Sequence, residues 1–221
     1  AEVSLYLQYP YFQIFTIFAL LNINRTNLKT KLINISDIKS AIGMKGPIGT
    51  VIGSSAMRLL SLCELNKLYA GLYQHQGREF TEKMIEEMNV KYDIIASQLE
   101  NIPQEGPFII VSNHPFGGYD GILLFNIVSS MRPDFKILTN FILSHIKNLS
   151  DSFLPVNPFS DMKGLKNSYA GVRAAKEHII NGGGLGLFPA GEVSTYHGKG
   201  YTEDIEWTKS ISKLIHGRKV P

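Results

Sequence analysis

Residues 107–131 read PFIIVSNHPFGGYDGILLFNIVSSM. The stretch Pro107 to Ser112 is a short apolar run of the kind that forms a buried strand, and Tyr119 to Met131 has the length and apolar content of a helix. Between them His114 and Asp120 stand on either side of Gly117 and Gly118. The same texture continues downstream. FKILT (135–139) reads as a strand, FILSHIKNL (141–149) as a helix, FLPVN (153–157) as a strand, and LKNSYAGVRAAKEHII (165–180) as a helix closed by NGGG. LGLFPA (185–190) reads as a strand and IEWTKSISKLIHG (205–217) as a helix. Strands alternating with helices predict an α/β fold with a mainly parallel sheet flanked by helices. Ligands of such sheets bind beyond the carboxyl ends of the strands. His114 and the loop FPAGEVS, Phe188 to Ser194, each follow a strand, so both are expected to open on one crevice.

Upstream, Lys31 to Met88 reads as helices, with a Ser36 or Asp37 cap in NISDIKSAIG and a Gly/Pro turn in MKGPIGTVIGSS. After that turn come the helical stretches SAMRLLSLCELNKLYAGLY and EFTEKMIEEMN. Gly46, Gly49 and Gly53 are not followed by the Gly-Lys-Ser/Thr of a phosphate loop. Val3 to Asn24 carries no charge, is rich in aromatics and runs into Arg25, Lys29 and Lys31. It suits either an apolar helix or hairpin packed on the domain, or a segment that contacts a membrane surface. The expected organisation is an apolar segment at 1–30, a helical accessory segment at 31–105 and an α/β domain at 106–221. The final helix stands where the alternation requires another strand, so the domain is expected to continue beyond Pro221.

The bulk composition narrows the function classes. The chain has 221 residues, 44% of them hydrophobic, which supports a substantial core. Its formal charge of +3 is too small and too scattered for nucleic-acid binding. The single cysteine, Cys63, lies in a helical stretch and suits a buried structural position. His145, His178, His197 and His216 show no metal-ligand spacing, so no metal site is expected.

The pair His114 and Asp120 suits proton transfer. A neutral imidazole is the common general base near neutral pH, and a carboxylate behind it fixes the tautomer and stabilises the imidazolium that forms. Gly117 and Gly118 let the chain fold back between the two, or leave space for a substrate. Each residue also has a structural reading, Asp120 as a helix cap and His114 as a hydrogen-bonded residue at a strand end.

NHPFGGYDG followed by FPAGEVS resembles the first and third sequence blocks of the glycerolipid and lysophospholipid acyltransferase superfamily, over roughly residues 106–221. The similarity is greatest to the bacterial hemolysin-like branch, which includes ornithine- and glycine-lipid O-acyltransferases. The resemblance implies transfer of a fatty acyl group from acyl carrier protein or coenzyme A to the hydroxyl of a lyso-lipid, with no bound cofactor. It implies His114 as base and Asp120 as its orienter. The substrate-binding residues would be Asn113, Gly117, Gly118, Phe188, Pro189, Gly191 and Glu192, with N–H groups around Gly191 for the oxyanion. Glu192 either positions the acceptor or is a solvated loop carboxylate. The implied location is the cytoplasmic face of the inner membrane, held at the membrane surface.

The chain departs from the superfamily pattern in several places. Five residues rather than four separate His114 from Asp120, Ala190 replaces the usual Glu, Val193 replaces an Arg, and Pro158 in LPVNPF stands at the second block's Arg position. The missing side chains are those expected to hold a phosphate, so an N-(3-hydroxyacyl) amino-acid lipid is favoured over a lysophosphatidic or glycerophospholipid acceptor. Lys163, Lys166, Arg173 and Lys176 could meet an anion, or form a solvated helix face. Two readings of other classes remain: a serine lipid hydrolase using Ser112 or Ser194, and a non-catalytic, membrane-active lipid-binding protein.

Overall fold

The computed structural model describes residues 3–6, 31–41, 43–59, 62–140, 143, 146–156, 162–197 and 201–207. Its centre is a four-stranded, wholly parallel sheet formed by β3 (Phe108–Val111), β4 (Lys136–Asn140), β5 (Phe153–Val156) and β6 (Gly184–Leu187). The spatial order is β3-β6-β4-β5, so the last of these four strands along the chain lies between the first two of them. Helix α6 (Gly118–Ser129) connects β3 to β4, and α7 (Met162–Ile180) connects β5 to β6. The expected α/β fold is therefore present.

Side chains alternate across the sheet as strand geometry requires. Leu185 and Leu187 of β6 face Ala175 and Ile179 of α7, together with Ile109, Leu138 and Leu154. Phe108, Ile137 and Phe153 point the other way, into a larger core that begins at Leu32 and Ile33. Both faces are covered, as a parallel sheet demands. Glycines permit the closest approaches. A Cβ on Gly186 would lie 2.7 Å from Cζ of Phe135, and one on Gly171 would run into the main-chain carbonyl of Pro155.

Before the sheet come α1 (Ile35–Ala41), α2 (Gly46–Leu59), α3 (Leu62–Leu72) and α4 (Gly77–Glu87), the helical segment expected from sequence. Polar side chains fasten it. Asn66 Oδ1 accepts the N–H groups of Leu32 and Ile33, and its Nδ2 donates to Ile33 O. Asn148 Oδ1 accepts the Tyr69 hydroxyl at 2.8 Å, while its Nδ2 donates to the carbonyls of Tyr73 and His75.

Several expectations are corrected. MKGPIGTVIGSS is not a turn, because α2 begins at Gly46 with Pro47 in its first turn, where an N–H is not needed. Gly49 and Gly53 face inward there; a Cβ on Gly53 would lie 3.1 Å from Ile35 Cγ2 of α1, so the glycine admits a neighbour rather than breaking the helix. The single helix expected over SAMRLLSLCELNKLYAGLY is two, α2 and α3, whose directions differ by 71°. In FILSHIKNL, Lys147–Leu149 form a 3-10 turn, and residues 141, 142, 144 and 145 lie outside the described residues. Of the apolar N-terminal segment only β1 (Val3–Tyr6) is described, and it pairs antiparallel with an unexpected β2 (Lys91–Ile94). A one-turn helix α5 (Ala96–Leu99) follows β2. In IEWTKSISKLIHG, Ile205 to Trp207 are not helical, and the rest lies outside the described residues, as does Pro158. In front of them is an unexpected hairpin, β7 (Thr195–Tyr196) with β8 (Thr202–Glu203).

Two glycines should respond oppositely to alanine. Gly171→Ala is expected to cost ~1–3 kcal/mol, because the Cβ forces α7 away from the β5 backbone. Gly71→Ala in α3, where a Cβ meets nothing within 4 Å, should gain ~0.4–1 kcal/mol. Urea unfolding midpoints compare the two, and equal effects would contradict the packing described.

Candidate active site

The site is assembled by the pairing of β3 with β6. Their parallel register, Val111 opposite Leu187, is extended by the Ser112 N–H donating to Leu187 O, so both strands release their chains at the same level. His114 leaves one strand end and Phe188 the other, and their rings stack with centroids 4.3 Å apart. The common crevice expected from sequence is present.

Gly117 turns the chain back toward the strand with φ 64° and ψ −129°, a conformation that suits glycine, and then precedes α6 as its cap. This turn absorbs the additional residue between His114 and Asp120. Asp120, in the first turn of α6, reaches back so that its Oδ2 lies 3.1 Å from His114 Nδ1 and accepts the Phe116 N–H at 2.8 Å. With Asp120 ionised, Nδ1 carries the proton and donates it, which leaves Nε2 with a free lone pair. The side chains of His114 and Asp120 are 19% and 9% exposed, so the pair is sheltered but reachable.

Burial pushes the Asp120 carboxyl above the usual aspartate range; the hydrogen bond and charge of His114 and the Phe116 N–H pull it back, and the charge of Asp204 pushes it up again.

Two apolar spaces meet this pair. A cavity of about 170 Å³ runs from His114, Gly118 and Phe188 down to Phe80 and Met84 of α4 and Phe153 of β5. A groove of about 710 Å³ lies on the far side, along the outer edge of β3, between Leu123 and Ile127 of α6 and Leu99 and Ile102, and it reaches Asp120.

The other residues singled out from sequence fall into two groups. Gly118, Phe188 and Gly191 line the cavity beside His114. Gly117 and Pro189 are buried supports, whereas Asn113 and Glu192 are exposed at the rim. One expected role is corrected: the Gly191 N–H donates to Phe188 O at 3.0 Å in a tight turn, so it is not free to meet an oxyanion. Ala190 is buried and brings no charge. Arg173 is paired with Glu177 at 2.8 Å on the exposed face of α7, the solvated reading for that residue. Neither candidate serine turns its hydroxyl to the His114 ring. Ser112 Oγ donates to Asn113 O, and Ser194 Oγ donates to Asp204. Phe80, Met84 and Asp204 went unread in the sequence. For the first two, the available signal was the four-residue spacing on an amphipathic helix.

Residues 54–219 match the family described as acyltransferase. The chain belongs to the acyltransferase family. It is 32% identical over 155 residues to a lyso-glycine lipid O-acyltransferase of Phocaeicola vulgatus, covering 69% of this chain and 52% of that protein. It is also 32% identical over 148 residues to the protein of the same description from Bacteroides thetaiotaomicron, covering 65% of this chain and 50% of that one. The chain thus spans about half the length of the curated relatives it matches.

The raised Asp120 carboxyl has a consequence for stability. A carboxyl that binds its proton more tightly folded than unfolded stabilises the fold while protonated. That contribution is lost as pH rises from the unfolded value of ~3.9 through the raised folded one. Asp120→Asn does not titrate. The stability of the wild type relative to this variant should therefore fall as pH rises through that window, as measured by urea unfolding. A gap that widens in favour of the wild type would mean that the carboxyl is lowered instead.

Proposed function

We propose that the protein transfers a fatty acyl group from a thioester, on acyl carrier protein or coenzyme A, to the hydroxyl of a lyso-lipid of the N-acyl amino-acid type, glycine lipid in particular. The observation that carries this is an imidazole fixed through Nδ1 by a buried carboxylate at the end of an apolar cavity. In the reaction, Nε2 of His114 takes the proton of the acceptor hydroxyl while its oxygen attacks the thioester carbonyl carbon. The tetrahedral oxyanion collapses, the C–S bond breaks, and the departing thiolate takes the proton from the imidazolium. Asp120 holds the imidazole and stabilises its charge. Transfer brings a thioester-borne acyl chain and a lipid acceptor to one base, and two apolar spaces meet the pair, the 170 Å³ cavity at His114 and the 710 Å³ groove at Asp120. The glycine-type acceptor is supported by the description of both relatives and by the uncharged Ala190.

A bilayer-borne acceptor requires the protein at a membrane surface, on the cytoplasmic side, where acyl carrier protein and coenzyme A thioesters are found. No single helix among the described residues is long and apolar enough to cross a membrane. Helix α2 offers a face instead. Ile48, Val51, Ile52 and Leu59 share one side, are 68, 67, 41 and 83% exposed, and have Lys45 and Arg58 beside them with no acidic residue in the helix. Such a face suits shallow insertion beneath anionic headgroups.

Two experiments test these readings. With acyl-coenzyme A or acyl carrier protein and a lyso-glycine lipid, His114→Ala should abolish transfer and Asp120→Asn should lower kcat by ~10²-fold or more; undiminished turnover by His114→Ala would reject the mechanism. Changing Ile48, Val51 and Leu59 together to serine should remove the part of anionic-vesicle binding that survives high salt, since apolar insertion resists screening. Equal salt-resistant binding by the folded triple variant would exclude α2 as the contact.

A further inference from the structure

We propose that the β7–β8 hairpin is the positioning element of the site, acting through Ser194 and Asp204 on the main chain of His114. This rests on the reading of His114 as the base. The register of the hairpin, Thr195 opposite Glu203, sets Ser194 opposite Asp204. Two groups of that cross-strand pair converge on one residue, and a third bond ties the pair together. The Ser194 N–H donates to His114 O at 3.0 Å, the His114 N–H donates to Asp204 Oδ1 at 3.3 Å, and the Ser194 hydroxyl donates to the same Oδ1. Asp204 Oδ2 accepts the indole N–H of Trp207 at 3.2 Å, which directs the carboxylate from behind.

His114 needs such a frame. It lies past the last β3–β6 hydrogen bond, made by Ser112, and the next residue, Pro115, has no N–H to donate. The imidazole is held by Asp120 at one nitrogen only, which fixes its direction relative to α6 but leaves the main chain that carries it free to shift. The hairpin supplies the second hold: both polar main-chain groups of His114 end on the Ser194–Asp204 pair. Displacing a base by ~1 Å can slow a reaction ~10²-fold. Ser194 and Asp204 touch the backbone of the base and no reacting atom, so they are positioning residues.

The test uses three variants of the chain. In Asp204→Ala, amide exchange at His114 should accelerate ~10-fold or more, because its acceptor is gone. Transfer kcat should fall ~10- to 100-fold with the donor KM within about twofold, the pattern of a lost transition-state alignment. Asp204→Asn keeps an oxygen for the His114 N–H and should recover most of kcat. Ser194→Ala removes one hydroxyl, should give an intermediate loss, and decides the matter alone if Asp204→Ala does not fold. Wild-type kcat in a folded Asp204→Ala, the same loss in the alanine and asparagine variants, or an effect on KM alone would overturn the proposal. The amide-exchange measurement separates it from the functional reading. If the wild type transfers no acyl group, that reading fails, while unchanged His114 exchange in both alanine variants would by itself refute the hairpin's hold.

Discussion

The parallel pairing of β3 with β6 is the constraint on which the site depends. These strands are far apart in the chain, yet their register sets Phe108 to Val111 against Gly184 to Leu187 residue by residue. The loops that leave their ends thereby become neighbours. The opposite ends are fastened by Arg132, which is buried beneath the sheet and lies 4.7 Å over the Phe108 ring. It donates to the carbonyls of Pro103, Gly106 and Gly182 and pairs with Asp134, whose carboxylate accepts the Gly184 N–H. The guanidinium beside Asp134 holds its carboxyl below the usual range. One buried cation thus secures the chain just before β3 and just before β6, which defines the level at which both strands end.

At the functional end the electrostatics run the other way. Two carboxylates, Asp120 and Asp204, serve one histidine, the first at its ring and the second at its main chain. Burial raises the Asp120 carboxyl most, the His114 ring offsets this, and repulsion from Asp204 adds a smaller rise. Such an arrangement favours positive charge on the imidazole as a proton arrives, the property required of a general base.

What was legible in the sequence follows from which signals are local. Strand–loop–helix texture around His114 and Phe188 is local, so the α/β fold and the meeting of the two loops could be read directly. The roles of Gly49 and Gly53 could not, because a glycine that breaks a helix and one that admits a neighbouring helix look alike until Ile35 is seen against Gly53. Hairpin β7–β8 has strands of two residues, too short to show a period, and its Ser194–Asp204 pair exists only across the register. Likewise β2 is recognisable only with β1, whose residues lie some ninety positions earlier.

Family membership, a fixed His114–Asp120 pair and two apolar spaces beside it support the proposed transfer of an acyl chain to a lipid hydroxyl. The proposal is tested most directly in cells that lack such an activity, by mass spectrometry of lipids extracted after expression of the gene or of its His114→Ala form. The account predicts that the wild-type gene converts lyso-glycine lipid to a species heavier by one esterified fatty acyl group, and that the variant leaves the lyso form unchanged. Accumulation of the heavier species with the variant, or of free fatty acid in place of the ester with the wild type, would contradict it.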